Sequence, residues 1–169
     1  ETGITAHIID KGCDTGNILQ QLKVPIMQDD TGFDMLKKFQ ENYFNIVSKV
    51  LEDIKLNKII SIPQDNSKAT YFKKREPKDG RIDWNWQKER IRNWVRAQAF
   101  PYPGAFTYSD ESQIIIDEVK FSDFGFDCDL PNGIVLSTDP VIIKTPNGAL
   151  ELKSIRENSE KIVLGKLLM

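Results

Sequence analysis

Residues 31–56 carry apolar side chains at the spacing of an amphipathic helix, and no other segment constrains the fold as strongly. The stripe comprises Phe33, Leu36, Tyr43, Val47, Val50 and Ile54, at intervals of three, four or seven residues, and it is widened by Phe39 and Ile46. Thr31 and Asp34 have the spacing of a capping box at the start of such a helix. A wide apolar stripe needs a second layer to cover it, so we expect this helix to pack on a sheet.

The segment before the helix predicts two strands joined by a tight loop. Residues 3–9 are β-branched and apolar, residues 12–17 hold two glycines, and residues 18–22 form a second apolar run that ends before Pro25. Two strands and one helix are a fragment of an α/β layer. The sequence also begins without Met, directly in the first strand, which leads us to expect a piece of a longer protein.

The pattern changes after residue 100. Short β-like runs cover residues 105–108, 113–119, 133–136, 141–145, 149–155 and 161–164, and turn-forming pairs such as Asn147-Gly148 separate them. These runs predict a small β-barrel or sandwich. Before them, residues 59–62 and 69–72 are candidate short strands and residues 87–98 a helix. We therefore divide the chain into residues 1–66, 67–99 and 100–169.

Composition excludes several classes of protein. Of the 169 residues, 40% are apolar and 28% charged, and the net charge is −2, which is not the basic balance of a dedicated nucleic-acid binder. No apolar run approaches the roughly 18–20 residues that span a bilayer, so we expect no membrane. Cys13 and Cys128 are too few for a disulfide framework, which favours reduced thiols in the cytoplasm. The chain has one histidine, His7, for any zinc site or catalytic triad.

Asp10-Lys11-Gly12-Cys13-Asp14-Thr15-Gly16-Asn17 is the densest group of polar residues with chemical potential. It places two carboxylates around a glycine turn at the C-terminal end of a strand, the edge at which α/β sheets bind ligands. A carboxylate there can accept a proton or orient another group. Asp and Gly are also ordinary turn residues. Composition alone therefore leaves a purely structural loop open.

Two separate motifs resemble one enzyme family. The first is Glu1-Thr2-Gly3-Ile4-Thr5 with Asp10, Gly12, Asp14-Thr15-Gly16 and Ile18; the second is Arg75-Glu76-Pro77-Lys78-Asp79-Gly80, Ile82-Asp83-Trp84, Val95-Arg96-Ala97 and Pro101-Tyr102-Pro103-Gly104-Ala105. Their order and spacing resemble the 10-formyltetrahydrofolate-dependent formyltransferases. The resemblance implies the end of a Rossmann-like catalytic domain followed by a small β-barrel-like (OB-like) C-terminal domain.

The resemblance also implies acyl transfer, in which an amine attacks the formyl carbon of 10-formyltetrahydrofolate without a metal. Asp14 matches the catalytic Asp of the family, and the loop Asp10, Lys11, Gly12, Cys13 and Asp14 matches the loop whose backbone holds the pterin ring. The family's catalytic Asn and His lie upstream of residue 1. His7 is not that histidine, and we assign it a structural role in its strand. We therefore expect the chain alone to be inactive.

The acceptor is inferred from charge. Residues 67–96 hold ten Lys/Arg and four acids, net +6, whereas residues 100–169 hold six and eleven, net −5. Lys73, Lys74 and Arg75 suit a phosphate, although a solvated basic surface explains them equally. Trp84 and Trp86 can stack on a base, while we expect Trp94 in the core. The acidic tail disfavours tRNA. These features favour a nucleotide-linked amino sugar as acceptor.

Two alternatives stay open. One is methionyl-tRNA formyltransferase. The other is a non-catalytic binding or dimerisation module, with a homodimer formed through the C-terminal region. The run Ile114-Ile115-Ile116 fits a subunit interface as well as a core.

Overall fold

A computed structural model describes residues 1–169. The chain contains two compact units. The first region comprises residues 1–30 and 34–74, and the second comprises residues 31–33 and 75–169. The division into residues 1–66, 67–99 and 100–169 stays a prediction. None of the helices combines the length and apolarity that crossing a membrane requires.

The first region is built from a hairpin and a helix. Strands β1 (Thr2–His7) and β2 (Ile18–Val24) pair antiparallel, and Pro25 follows directly after β2. Helix α1 (Gly32–Lys55) confirms the predicted helix. Residues 59–62 and 69–72 are not strands, because only Ile62 pairs with a neighbour, through a two-bond bridge to Ile18. The apolar stripe of the helix is only partly covered. Ile46 is buried, but Tyr43, Val47 and Ile54 stay about half exposed.

The second region has one helix and one sheet. Helix α2 (Lys88–Gln98) precedes strands β3 (Ala105–Ser109), β4 (Ser112–Ser122), β5 (Val135–Thr138), β6 (Val141–Thr145) and β7 (Gly148–Glu157). The strands form an antiparallel sheet in the order β3-β4-β7-β6-β5. Residues 161–164 are not a strand. A short 3-10 turn covers Ser159–Lys161, and Gly165 turns the chain at φ +73°.

The sheet is curled, and the C-terminal residues link its two outer sides. Tyr108 on β3 exchanges two backbone hydrogen bonds with Met169. On the other side the amide of Val135 donates to the carbonyl of Lys166, and the amide of Leu168 donates to that of Gly133. The architecture is thus a curled antiparallel sheet whose edge strands are joined through the last residues.

A core fills the second region. Its members are fully or almost fully buried: Ile82, Trp84, Ile91, Val95, Ala105, Ile114, Ile116, Val119, Val135, Ile143, Leu150, Leu152, Ile162 and Leu168. Ile114 and Ile116 therefore belong to the core, while Ile115 between them is half-buried. Trp94 packs partly buried against the core, as expected, and its indole N–H donates to the carbonyl of Gly80 at 3.1 Å.

Candidate active site

The loop from Asp10 to Asn17 joins β1 to β2, and Asp10 organises its first half. Oδ1 of Asp10 accepts hydrogen bonds from the Thr15 hydroxyl at 2.7 Å and the Gly12 amide at 3.0 Å. These bonds, the one from Thr15 foremost, hold the pKa of Asp10 below its ordinary value because they favour the carboxylate. Asp10 is therefore an ionised residue that shapes the loop.

Gly16 allows the loop to fold back on β1. A Cβ at this position would lie 1.7 Å from the carbonyl oxygen of Ile8, so no other residue fits without moving the backbone. Beside it, the amide of Ile8 donates to the carbonyl of Asn17 at 2.9 Å. The close approach fixes the return of the chain into β2.

Asp14 lies at the tip of this loop with its carboxylate in solvent. Its backbone is left-handed, with φ +56°, which is uncommon for a residue other than glycine. Its side chain is 86% exposed, and Oδ1 lies 3.5 Å from Nε2 of His7. The other ring nitrogen of His7, Nδ1, lies 3.0 Å from the carbonyl oxygen of Ile8. The loop thus presents a carboxylate with an imidazole on one side of it.

A cavity of about 370 Å³ opens beside this carboxylate. Cys13, Asp14 and Thr15 form one wall, and residues from 64 to 71 form the other, including Gln64 and Tyr71. The peptide groups of Lys11 and Cys13 carry no backbone hydrogen bond, and both residues are exposed. Of these two residues, Cys13 lines the cavity, and a free peptide donor and acceptor at such a place fits the polar edge of a flat heterocycle.

The structure places the predicted loop residues side by side. The two predicted phosphate-binding residues, Lys74 and Arg75, have different surroundings from each other. Asp10, Lys11, Gly12, Cys13 and Asp14 form one continuous exposed loop. Lys74 is exposed and makes no ion pair. Arg75 lies in the second region, with its guanidinium carbon 5.1 Å from the centre of the Trp94 ring and no hydrogen-bond partner.

A second cavity lies beside Arg75, within the second region. It measures about 410 Å³, and its walls include Pro77, Trp94, Tyr102 and Pro103. Arg156 holds the segment that provides two of these walls. Its guanidinium donates to both carboxylate oxygens of Asp117 and to the carbonyls of Tyr102 and Pro103. A free guanidinium beside aromatic and proline side chains suits a ligand that joins a flat ring to an anionic group.

Sequence reasoning missed two contacts at the loop. It treated His7 as structural, and the pairing with Asp14 depends on β1 and the loop tip folding together, which no local spacing encodes. It also passed over Gln64, whose amide donates to the carbonyls of Asp14 and Gly16 at 2.7 Å each. Gln64 follows an irregular segment, so no periodicity marks it.

Comparison with known proteins identifies the family. A family model described as Formyl transferase, C-terminal domain, matches residues 74–169, and a model described as Formyl transferase matches residues 1–51. The chain belongs to the formyltransferase family. The residues around Asp14 thus lie in the part that matches the second of these models.

One relative of known sequence is the bifunctional polymyxin resistance protein ArnA of Wigglesworthia glossinidia brevipalpis. It is 39% identical over 153 residues, which cover 90% of this chain and 23% of the relative. The chain therefore spans about a quarter of the length of this formyltransferase-family relative.

Two solved structures share the fold. The methionyl-tRNA formyltransferase from Clostridium thermocellum has a TM-score of 0.61 at 18% identity, and the match covers 93% of this chain and 57% of the other. An N-formyltransferase from Helicobacter canadensis, in complex with folinic acid and dTDP-3-aminofucose, has a TM-score of 0.63 at 22% identity, covering 90% of this chain and 55% of the other. At these identities the likeness shows the fold.

Proposed function

We propose that this chain is the C-terminal part of an enzyme that transfers a formyl group from 10-formyltetrahydrofolate to the amino group of a nucleotide-linked sugar. One observation carries the proposal. In a chain of the formyltransferase family, Asp14 stands exposed at the tip of a fixed loop, beside a cavity and a histidine. The sugar would serve bacterial surface polysaccharide, and the reaction would occur in the cytoplasm.

The loop residues fit the folate. Asp10 and Gly16 fix the loop, which leaves the peptide groups of Lys11 and Cys13 free to pair with the polar edge of a pterin. When bound, the folate supplies the formyl group: the bond from the formyl carbon to N10 breaks as the carbon bonds to the acceptor nitrogen, and the proton that the amine loses ends on N10 of the departing tetrahydrofolate. The site uses no metal in this proposal.

Asp14 assists the proton transfers of the reaction. An amine attacks only when it is unprotonated, and it must release a proton as the amide forms, so a carboxylate that orients an imidazole has a defined task. The exposed side of the Asp14 carboxylate is free to meet a histidine from residues outside this chain. A chain that spans only part of its relatives would then be inactive alone.

Arg75 supports the nucleotide-linked acceptor. Its guanidinium has no hydrogen-bond partner, and the cavity beside it has the aromatic and proline walls that suit a base. Lys74 adds a second positive charge next to it in the sequence. We propose Lys74 and Arg75 as phosphate-binding residues. We also propose that the curled sheet is a barrel-like (OB-like) domain, because the C-terminal residues link both of its edge strands.

The test is a formyl-transfer assay. The full-length protein with 10-formyltetrahydrofolate and a dTDP- or UDP-linked amino sugar is expected to give an N-formylated sugar, and residues 1–169 alone none. Asp14→Asn should lower the rate by at least about 100-fold, and the exposed Asp123→Asn should not. A full-length protein that formylates no amino-sugar nucleotide would refute the proposal.

Two other functions have specific observations in their favour. The fold is shared with methionyl-tRNA formyltransferase, although the net charge of −5 on residues 100–169 opposes a phosphate backbone. Formylation of methionyl-tRNA in the same assay would establish that function. The half-exposed stripe on α1 favours a binding or dimerisation module. Concentration-dependent association without folate binding would establish that one. A homodimer through the C-terminal region is a separate form of the same proposal, and it does not depend on the α1 stripe.

A further inference from the structure

We propose that Gln64 is a positioning residue that holds Asp14 in its left-handed conformation and so sets where the carboxylate lies. The inference deepens the proposed function, because it assigns a task to a residue outside the loop that carries Asp14. All of its observations lie in the first region.

The Gln64 amide spans two peptide groups of the loop. Its Nε2 donates to the carbonyl oxygens of Asp14 and Gly16, both at 2.7 Å. Because both partners are carbonyl oxygens, only the NH₂ group can face them, and its two hydrogens serve one carbonyl each. A single side chain therefore sets the spacing of the carbonyls on either side of Thr15.

Asp14 needs such a restraint. A left-handed backbone is uncommon for a residue with a Cβ, so a loop without a restraint at this point would favour negative φ. The other anchors of the loop lie elsewhere. Asp10 binds Gly12 and Thr15, and Gly16 packs on Ile8. The carbonyl of Asp14 accepts its hydrogen bond from Gln64.

The backbone that carries Gln64 is itself held. Ile62 exchanges two backbone hydrogen bonds with Ile18, at 2.8 and 2.9 Å, and the Asn17 amide donates to the Ser61 hydroxyl at 2.8 Å. Gln64 follows these contacts by two and three residues. Its side chain therefore reaches the loop from a fixed point on the start of β2.

The position of the carboxylate follows from this restraint. Fixing the carbonyl of Asp14 fixes its ψ, and in this backbone conformation, with φ at +56°, Oδ1 of the carboxylate lies 3.5 Å from Nε2 of His7. Loss of the Gln64 hydrogen bonds should let Asp14 relax and move its carboxylate away from the imidazole. Displacements of about 1 Å at a reacting group can cost 100-fold in rate.

His7 provides a readout that does not depend on catalysis. It is the chain's one histidine, so its ring gives a single, assignable set of NMR resonances. In the 169-residue chain, Gln64→Ala is expected to move the His7 ring resonances towards those of Asp14→Asn. Gln64→Met, which keeps the length of the side chain but has no donor, should do the same. The matched control is Gln21→Ala, which removes an amide bonded across the hairpin to Thr5 and should leave His7 unchanged.

The second arm uses the formyl-transfer assay on the full-length protein. Gln64→Met should lower kcat by about 10- to 100-fold while the KM for the acceptor changes less than about threefold. Added to Asp14→Asn, it should cost less than about twofold more, because both changes remove the same group from its place. Losses that multiply would mean that Gln64 acts independently of Asp14.

The two arms separate this inference from the proposed function. If no acceptor is formylated, the proposed function fails, and the His7 resonances still decide the role of Gln64. If both Gln64 variants fold, by circular dichroism, and leave the His7 resonances at their wild-type positions, the positioning role is wrong.

Discussion

The two regions of this protein differ in what holds their structure together. The second region buries Ile82, Ile91, Ile143 and Leu150 almost completely around one sheet and one helix. The first region carries the Asp14 loop, yet most of its large apolar residues are at least 40% exposed, and Phe44 is 78% exposed. The comparison teaches that an ordered loop does not require a core of its own, because local hydrogen bonds and a glycine contact shape this one.

Buried polar groups show the same contrast. In the second region, the hydroxyl of Thr107 accepts from the indole N–H of Trp84 and donates to the carbonyl of Met169, and the Ser109 hydroxyl donates to that of Lys161. Buried groups that are fully paired help to specify one structure. In the first region, the side-chain bonds of Asp10, Asn17 and Gln64 to their partners are largely exposed to water.

Separating the regions should have the largest effect. We expect residues 75–169 alone to unfold cooperatively on heating, because their core lies within that segment. Residues 1–74 alone should show no cooperative transition, since a hairpin and one helix bury too little apolar surface. Circular dichroism during thermal unfolding measures both. A sharp thermal transition from residues 1–74 alone would contradict this difference between the regions.

A matched pair of leucines tests the same difference within one chain. Leu150 is 0% exposed and Leu51 is 52% exposed. Leu150→Ala should reduce the free energy of unfolding by about 2–5 kcal/mol, through lost burial and the cavity that is left. Leu51→Ala should change it by less than about 0.5 kcal/mol. Denaturant unfolding of the full chain measures both values, and equal losses would contradict the assignment of the core.

Arg156 tests whether polar contacts also stabilise the second region. Its guanidinium binds Asp117, Tyr102 and Pro103 in a partly buried site. Arg156→Ala should cost about 1.5–3 kcal/mol, because it leaves the carboxylate of Asp117 without its main partner. Lys153→Ala, which removes a more exposed ion pair with Glu151, is the control and should cost clearly less. Similar losses in denaturant unfolding would mean that the Arg156 network is only a surface feature.

The smallest effect concerns the pH response of the loop. Hydrogen bonds lower the pKa of Asp10 in the folded chain. The ionised carboxylate therefore stabilises the folded loop above the unfolded pKa, 3.8, and this stabilisation is lost as the pH falls through the folded pKa. Asp10→Asn should therefore speed amide exchange in the loop at neutral pH, and the difference from wild type should vanish at the acidic end. NMR titration of the Asp10 carboxyl should give a midpoint below 3.8. A midpoint at or above that value would contradict the bonding of the loop.

Local sequence patterns predicted the positions of the helices and strands better than they predicted which segments pair with each other. The helix at residues 32–55 and the strands β3, β4, β6 and β7 follow from periodicity and turn residues. Residues 59–62 and 161–164 have strand-like side chains but form no strand, and the first of them makes only the bridge from Ile62 to Ile18. Sequence does not reveal whether such a segment finds a partner. The link from Met169 to Tyr108 is equally non-local.

The site was predictable in part for the same reason. The glycines and carboxylates of the loop are contiguous, so Asp10 and Asp14 stand out in the sequence. Gln64 reaches Asp14 across 50 residues, and His7 meets it only because the hairpin closes. Contacts of this kind depend on the fold, which explains why the motif alone did not reveal them.

The thiol of Cys13 allows occupancy of the cavity beside Asp14 to be measured by chemical footprinting. Its thiol is free and exposed on the cavity wall, whereas the thiol of Cys128 is free and exposed in the other region. Alkylation of the two thiols, followed by peptide mass spectrometry, would compare them in a single sample. A molecule that fills the cavity should slow labelling of Cys13 alone, so Cys128 acts as an internal standard for occupancy.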